Sequence, residues 1–339
     1  MIDPECLNNI TEVLNGSRKI VINTHTNPDG DAVGSSLALY FMLKKLGHQV
    51  DVVIANSIPS FYSWMPDADK IIYFGTNTEQ ARKLIDEAEV IFCLDYNAIH
   101  RSGSLKDSLK KSNAVFILID HHQEPELDSF NYHIWNTLRS STSELVFKLF
   151  DSMEVVKLID KDIASCLFTG IMTDTGSFSY SVSNSETFSI VATLIDLGLD
   201  AADVHSKVYN SMTESRLRLM GFAINDRLQI FEKLQTAIIA LSKQDLLDYN
   251  YQIGDTEGIV NLPLAIENIR LSVLITEKKD HIHLSLRSKG SFSVNEFARK
   301  YLNGGGHINA AGGKTYTTIQ QTIDDIIRIL PEFDTQIVN

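Results

Sequence analysis

Apolar residues in the first half of the chain gather into short, nearly continuous runs, separated by stretches with helical periodicity. The runs at 19–23, 49–55, 70–74, 90–94 and 115–119 are rich in Val, Ile, Leu and Phe. Such runs predict strands buried on both faces. Between the first two, residues 31–46 carry apolar side chains at Val33, Leu37, Tyr40, Phe41 and Leu43, then Lys44 and Lys45 before Gly47. That is an amphipathic helix with a stop signal. Strands alternating with helices predict an α/β fold whose N-terminal part is a doubly wound, mainly parallel sheet. Farther on, 141–152 and 161–172 read as helices, 173–185 as a Gly/Ser/Thr-rich loop, and 186–229 as mostly helical. Strands are predicted at 234–241, 269–276 and 281–287, a helix at 294–301, and a glycine-rich loop at 303–313. The expected organisation is a domain over 1–185, a helical linker over 186–215 and a smaller α/β domain over 216–339, in keeping with a length of 339 residues.

In an open parallel sheet, ligands bind beyond the carboxyl ends of the strands, so the residues there carry the chemistry. The first strand runs into His25-Thr26-Asn27-Pro28-Asp29-Gly30-Asp31. Taken alone, this could be a turn in which Asp31 simply caps the following helix. The other strand ends add to it: the run at 90–94 leads into Asp95, and that at 115–119 into Asp120-His121-His122. Asp174 stands where a helix gives way to a loop. So many acids at one sheet edge would repel one another, and nearby basic residues are few, His100, Arg101 and Arg139 among them. Divalent cations balance them more simply. Carboxylates with imidazoles and no thiolate suit Mn²⁺, or Mg²⁺, and a bridging carboxylate lets two ions lie ~3.5–4 Å apart. Two such ions point to phosphoester or phosphoanhydride hydrolysis. The sequence has no G-x-S-x-G, G-x-x-x-x-G-K-[ST] or strand-linked G-x-G-x-x-G pattern, which excludes the kinase and dehydrogenase readings.

Composition narrows the substrate. With 30 Lys+Arg against 43 Asp+Glu, the net charge is −13. A chain so acidic is ill suited to grip a long polyanion, though a small anion can be held locally. Gly304-Gly305-Gly306-His307, with Asn309 to Gly313 after it, offers amides and an imidazole to negative charge. Arg287, at a strand end, would add a bidentate phosphate contact. No apolar run approaches the ~18 residues needed to cross a bilayer. The first residues lack a signal-peptide pattern, and the three cysteines have no metal or disulfide spacing, so a cytoplasmic protein without a membrane partner is expected. His48, His133, His205, His281 and His283 read as surface or packing residues, and Trp64 and Trp135 as core or domain-contact aromatics. A base-stacking role for Phe178, Tyr180 or Tyr301 is less favoured than packing.

Together, the His25–Asp31 segment, Asp95, Asp120-His121-His122, Thr173-Asp174-Thr175 and Gly304–His307 resemble the DHH/DHHA1 phosphoesterase superfamily, in order and spacing, from about residue 20 to 315. The short two-lobe form most resembles its bacterial subgroup of bifunctional oligoribonucleases and pAp phosphatases. The resemblance implies a DHH catalytic domain over 1–185 and a DHHA1 substrate-binding domain over 216–339. It implies that His25 and Asp29 hold one Mn²⁺, that Asp31, His121 and Asp174 hold the other, and that Asp95 bridges them. His122 would lie beside the attacked phosphate, with Arg101 as a further phosphate contact. Arg287, Gly304, Gly305, Gly306 and His307 would bind the rest of the substrate. Short RNA oligonucleotides and 3′-phosphoadenosine 5′-phosphate are the implied substrates, and a homodimer is compatible. A phosphodiesterase acting on pApA or cyclic-di-AMP is the alternative; a non-catalytic nucleotide sensor would not need the full ligand set.

Overall fold

The computed structural model describes residues 2–179 and 184–333. Tyr180 and part of the loop expected at 173–185 lie outside the described residues. The chain divides into two units, Met1–Ser211 and Met212–Asn339.

The first unit is built on a six-stranded sheet of order β3-β2-β1-β4-β5-β6. Its strands are β1 (Lys19–Thr24), β2 (Gln49–Ile54), β3 (Ile72–Tyr73), β4 (Val90–Leu94), β5 (Val115–Asp120) and β6 (Tyr132–Trp135). All pairings are parallel. The helices are α1 (Pro4–Val13), α2 (Gly30–Lys45), α3 (Thr78–Glu87), α4 (Lys106–Leu109), α5 (Thr142–Ser152), α6 (Lys161–Asp174), α7 (Ser185–Asp196) and α8 (Ala201–Tyr209). Successive strand residues face opposite ways, so each strand feeds two cores. Ile20, Ile22, Phe92, Leu94, Ile117 and Ile119 pack with Leu37, Val146 and Leu167 on one face. Val21, Ile91, Cys93 and Leu118 pack with Ala81, Ile85 and Leu109 on the other. This accounts for the continuous apolar runs. The order of crossovers reverses between neighbouring β1 and β4, which opens a crevice at their carboxyl ends.

Two close approaches set the helices on the first face. A Cβ on Gly34 of α2 would sit 2.4 Å from the Cys166 carbonyl oxygen of α6. A Cβ on Gly170 of α6 would sit 1.9 Å from the Ser143 hydroxyl of α5. The α2 and α6 backbones therefore meet where only glycine fits, and Gly170 leaves room for the Ser143 and Asp31 side chains.

The second unit contains α9 (Glu214–Asp226), β7 (Leu228–Phe231), β8 (Thr236–Leu241), α10 (Lys243–Asp248), β9 (Leu271–Glu277), β10 (Ile282–Ser288), α11 (Val294–Tyr301), β11 (Gly305–His307), β12 (Ala310–Thr315) and α12 (Ile319–Phe333). Its sheet has the order β11-β12-β10-β9-β8-β7, antiparallel except for β8 with β9. Leu271, Val273, Ile275, Leu284 and Leu286 form one core with Phe297 and Ile326 of α11 and α12. Ile239, Leu241 and Leu274 form another with Leu219 and Ala223 of α9. Within 186–215, the segment expected as a linker, Ile190, Leu194, Val204 and Val208 belong to the first unit's core.

The glycine-rich segment at 303–313 differs from the expected loop: it is a β-hairpin, with Gly305 opposite Gly312 and His307 opposite Ala310. The glycines are there for packing. A Cβ on Gly304 would lie 1.9 Å from the Gly312 carbonyl oxygen, and one on Gly306 would lie 2.4 Å from that of Ala310. Short strands of small residues carry no apolar alternation, so the pattern reads as loop.

Candidate metal-binding edge

The carboxyl ends of β1, β4 and β5, with the first turn of α2 and the last of α6, gather seven of the candidates at one edge of the first unit. His25 follows β1 and is buried. Its Nδ1 lies 2.8 Å from the Thr26 carbonyl oxygen, and its Nε2 lies 3.4 Å from Asp95 Oδ2 and 4.0 Å from Asp29 Oδ2. Asp29 caps α2, its Oδ1 accepting from the Asp31 and Ala32 amides. Asp31, one residue into the helix, points inward and is almost wholly buried. Asp31 is therefore not the cap that the sequence offered as an alternative; Asp29 takes that place.

Asp95 has a left-handed backbone (φ 62°), a conformation uncommon outside glycine and frequent at functional sites. Its amide continues the β4–β5 ladder by donating to the Ile119 carbonyl (3.1 Å). Its two oxygens face different partners: Oδ2 faces His25 and Oδ1 faces His121 Nε2 at 3.6 Å. His121 Nε2 also lies 3.4 Å from Asp174 Oδ2 and 3.8 Å from Asp31 Oδ2, while its Nδ1 lies 3.2 Å from the Arg139 carbonyl oxygen. Ligand atoms of His25, Asp29 and Asp95 lie within 4.8 Å of one another, and so do those of Asp31, Asp95 and His121. The two groups share Asp95. A third group of the same size joins Asp95, Asp120 and His122.

The electrostatics suit a bound cation. Burial, with the charges of Asp95 and Asp174, drives the Asp31 carboxyl well above its usual range. Burial acts the same way on Asp95, but hydrogen bonds from His121 and His25 prevail and hold it well below. Burial opposes a proton on His121, and the facing Asp174, Asp95 and Asp31 overcome it, raising its pKa well above the ordinary value. His25 is raised in the same way against its burial, by Asp95 and Asp29. Among the described residues neither Asp31 nor Asp95 has a Lys or Arg partner. Oxygen and imidazole donors without a thiolate are what a hard or borderline divalent ion takes. The donor set therefore fits such ions.

Arg101 lies beside this edge: its carbonyl accepts the Thr26 amide at 2.9 Å, and its charge opposes a proton on His25. Arg287 and the Gly304–His307 segment lie in the second unit. There Arg287 on β10 pairs with Ala310 on β12, which in turn pairs with His307 on β11. Directly opposed residues share a face, so Arg287 and His307 stand on the same face two strands apart, ~9–10 Å. The Gly306 amide donates to Asn295 Oδ1 at 2.9 Å.

Two residues at this edge escaped the sequence reading. The Thr142 and Ser143 amides, opening α5, donate to Asp31 Oδ2 and Oδ1 at 2.6 and 2.9 Å, and the Thr142 hydroxyl donates to Asp95 Oδ1 at 3.0 Å. A helix N-terminus thus holds a carboxylate, using amides left unpaired by the helix. The signal was the cap sequence Ser141-Thr142-Ser143-Glu144, in which Ser141 accepts from the Glu144 amide.

Comparison with known proteins gives the family. The model of the DHH family, N-terminal domain, matches residues 19–171, and that of the DHHA1 domain matches 233–333. A bifunctional oligoribonuclease and PAP phosphatase NrnA of Thermus thermophilus is 29% identical over 86% of this chain and 83% of its own length. The protein of the same name from Bacillus subtilis is 26% identical over 93% of this chain and 94% of its own. The crystal structure of an exopolyphosphatase-related protein from Bacteroides fragilis superposes with a TM-score of 0.94 at 40% identity, covering 100% of this chain and 99% of that one.

Proposed function

Because the chain belongs to the DHH family of phosphoesterases, with a DHHA1 domain after it, we propose that it hydrolyses short oligoribonucleotides to mononucleotides and 3′-phosphoadenosine 5′-phosphate to AMP. The observation that carries the reading is Asp95, one oxygen toward each of two ligand groups. His25 and Asp29 would hold one divalent ion, Asp31, His121 and Asp174 the other, and Asp95 both; we take Mn²⁺ as the preferred ion and Mg²⁺ as its substitute. Bound ions supply Lewis-acid activation of water and neutralise phosphoryl charge. His122 orients the attacked phosphate and Arg101 adds positive charge beside it. Thr142 keeps the Asp95 carboxylate from rotating. Arg287 and His307 recognise a further phosphate of the substrate. The names of the relatives and the small number of basic groups support a substrate of two to a few nucleotides rather than a long strand. Among the described residues no helix is long and apolar enough to cross a membrane. The free thiols suit a reducing cytoplasm.

The test is a turnover panel of pAp, a diribonucleotide, pApA, cyclic-di-AMP and inorganic polyphosphate, each with Mn²⁺ and with Mg²⁺. Faster release of AMP from pAp and of mononucleotides from the diribonucleotide is expected. Preference for pApA or cyclic-di-AMP would replace the reading with a second-messenger phosphodiesterase, and preference for polyphosphate with a phosphoanhydride hydrolase.

A further inference from the structure

The three histidines at the metal-binding edge share a pattern with one exception. In each ring Nδ1 makes the short local contact. For His25 and His121 the contact is a backbone carbonyl, that of Thr26 and of Arg139, which leaves Nε2 toward the carboxylates. For His122 it is a carboxylate: Nδ1 lies 2.7 Å from Asp120 Oδ1. Asp95 Oδ1, at 3.8 Å, is too distant from that nitrogen to compete.

Asp120 is unusual. It is the last residue of β5 and fully buried, and its Oδ2 has no hydrogen-bond partner among the described residues. Leaving a buried carboxylate oxygen unsatisfied costs stability, so its retention asks for a role. Its surroundings hold it rigidly: Asp120 is in register with Trp135 of β6, and the Trp135 indole N–H donates to the His122 carbonyl at 2.7 Å. Both ends of the Asp120–His122 contact are thereby fixed.

We propose that Asp120 is a positioning residue for His122 rather than a metal ligand, fixing both the tautomer and the plane of its ring. An ionised carboxylate only accepts hydrogen bonds, so the contact places the ring proton on Nδ1 and leaves Nε2 as the atom that faces the substrate phosphate. The two ligand histidines, which only have to hold an ion, are oriented by neutral carbonyls. His122, which acts on substrate, is oriented by a charge that also polarises it. This rests on the role given to His122 above. The competing assignment is the third ligand group, Asp95 with Asp120 and His122. It would require Nδ1 to give up its shortest contact.

The experiment uses the full chain. Nitrogen-15 NMR of the metal-free and Mg²⁺-loaded protein reads the His122 tautomer directly, and metal content is counted on Mn²⁺-loaded protein. Wild type is expected to show the Nδ1–H tautomer, and Asp120→Asn to lose that uniform state while binding as many ions as wild type. On whichever panel substrate wild type hydrolyses, Asp120→Asn should lower kcat by on the order of 10²–10⁴-fold with KM changed less than about threefold, as when a histidine's orienting carboxylate is removed elsewhere. In the His122→Ala background the same substitution should cost nothing further. An Nε2–H tautomer in wild type, loss of an ion in Asp120→Asn, or a full additional loss in the double variant would each overturn the proposal. The tautomer needs no variant, so misfolding of Asp120→Asn leaves a decisive reading. The tautomer and metal counts also stand if wild type hydrolyses none of the panel, an outcome that would refute the proposed function separately.

Discussion

The two sheets solve opposite electrostatic problems. In the first unit a parallel sheet delivers acids and imidazoles from separate strands to one edge, buries them, and shifts the pKa values of His25, Asp31, Asp95 and His121. In the second, a mostly antiparallel sheet lines up Arg287 and His307 on one face, with Ala310 between them. Burial stores electrostatic tension where chemistry is proposed, and the residues proposed to recognise substrate stand on a half-buried face. The difference is one of layout: the parallel sheet converges charged groups on one buried edge, whereas the antiparallel sheet spaces them along a face.

Several substitutions would break or sharpen this contrast. Asp95→Ala removes the residue shared by both ligand groups and should abolish turnover, by on the order of 10⁴-fold in kcat, in a steady-state assay with Mn²⁺. Arg287→Ala should leave kcat within a few fold and raise KM on the order of 10–100-fold, the loss of a charged phosphate contact. A kcat collapse in that variant would erase the division between the units. Gly170→Ala drives a methyl into Ser143 and to within 2.6 Å of Asp31 Oδ1. It should weaken metal affinity by about 10–100-fold, read by calorimetry, as loss of ligand support does. Thr142→Ala should do the same at the lower end of that range.

The smallest expected effect concerns pH. His121 binds its proton more tightly folded than unfolded in the metal-free chain. Its contribution is complete below the ordinary value of about 6.5 and is lost as pH climbs through the raised value. Asp31, also raised, acts in the same direction. Metal-free protein should therefore melt at falling temperature as pH rises above about 6.5, by a few degrees. With Mn²⁺ the trend should reverse, since the ligands must lose protons to bind. A flat metal-free profile would contradict the tension inferred for this edge.

Much of this is legible in the amino-acid sequence. The parallel sheet announces itself because strands buried on both faces leave long apolar runs, and residues that follow such runs share one edge by topology alone. Hence His25, Asp95 and His121 could be grouped from sequence. The support could not. The cap sequence at Ser141 marks where a helix begins, but not that its Thr142 and Ser143 amides reach Asp31, more than a hundred residues away in the chain. Gly34 and Gly170 mark helix crossings whose partners lie far away in sequence. The hairpin at 305–315 was hidden for the opposite reason: glycine suits both loops and tightly packed strands, so composition does not choose between them.

Asp95 carries one more consequence. Asparagine tolerates the left-handed backbone found there, yet its amide has a single oxygen where the carboxylate has two. Asp95→Asn should therefore preserve the shape of the edge while splitting its stoichiometry, so that titration finds one tight ion per chain instead of two. Which ion survives would report which way the amide has turned, so that on the proposed ligand assignment this residue would set whether the chain holds one ion or two.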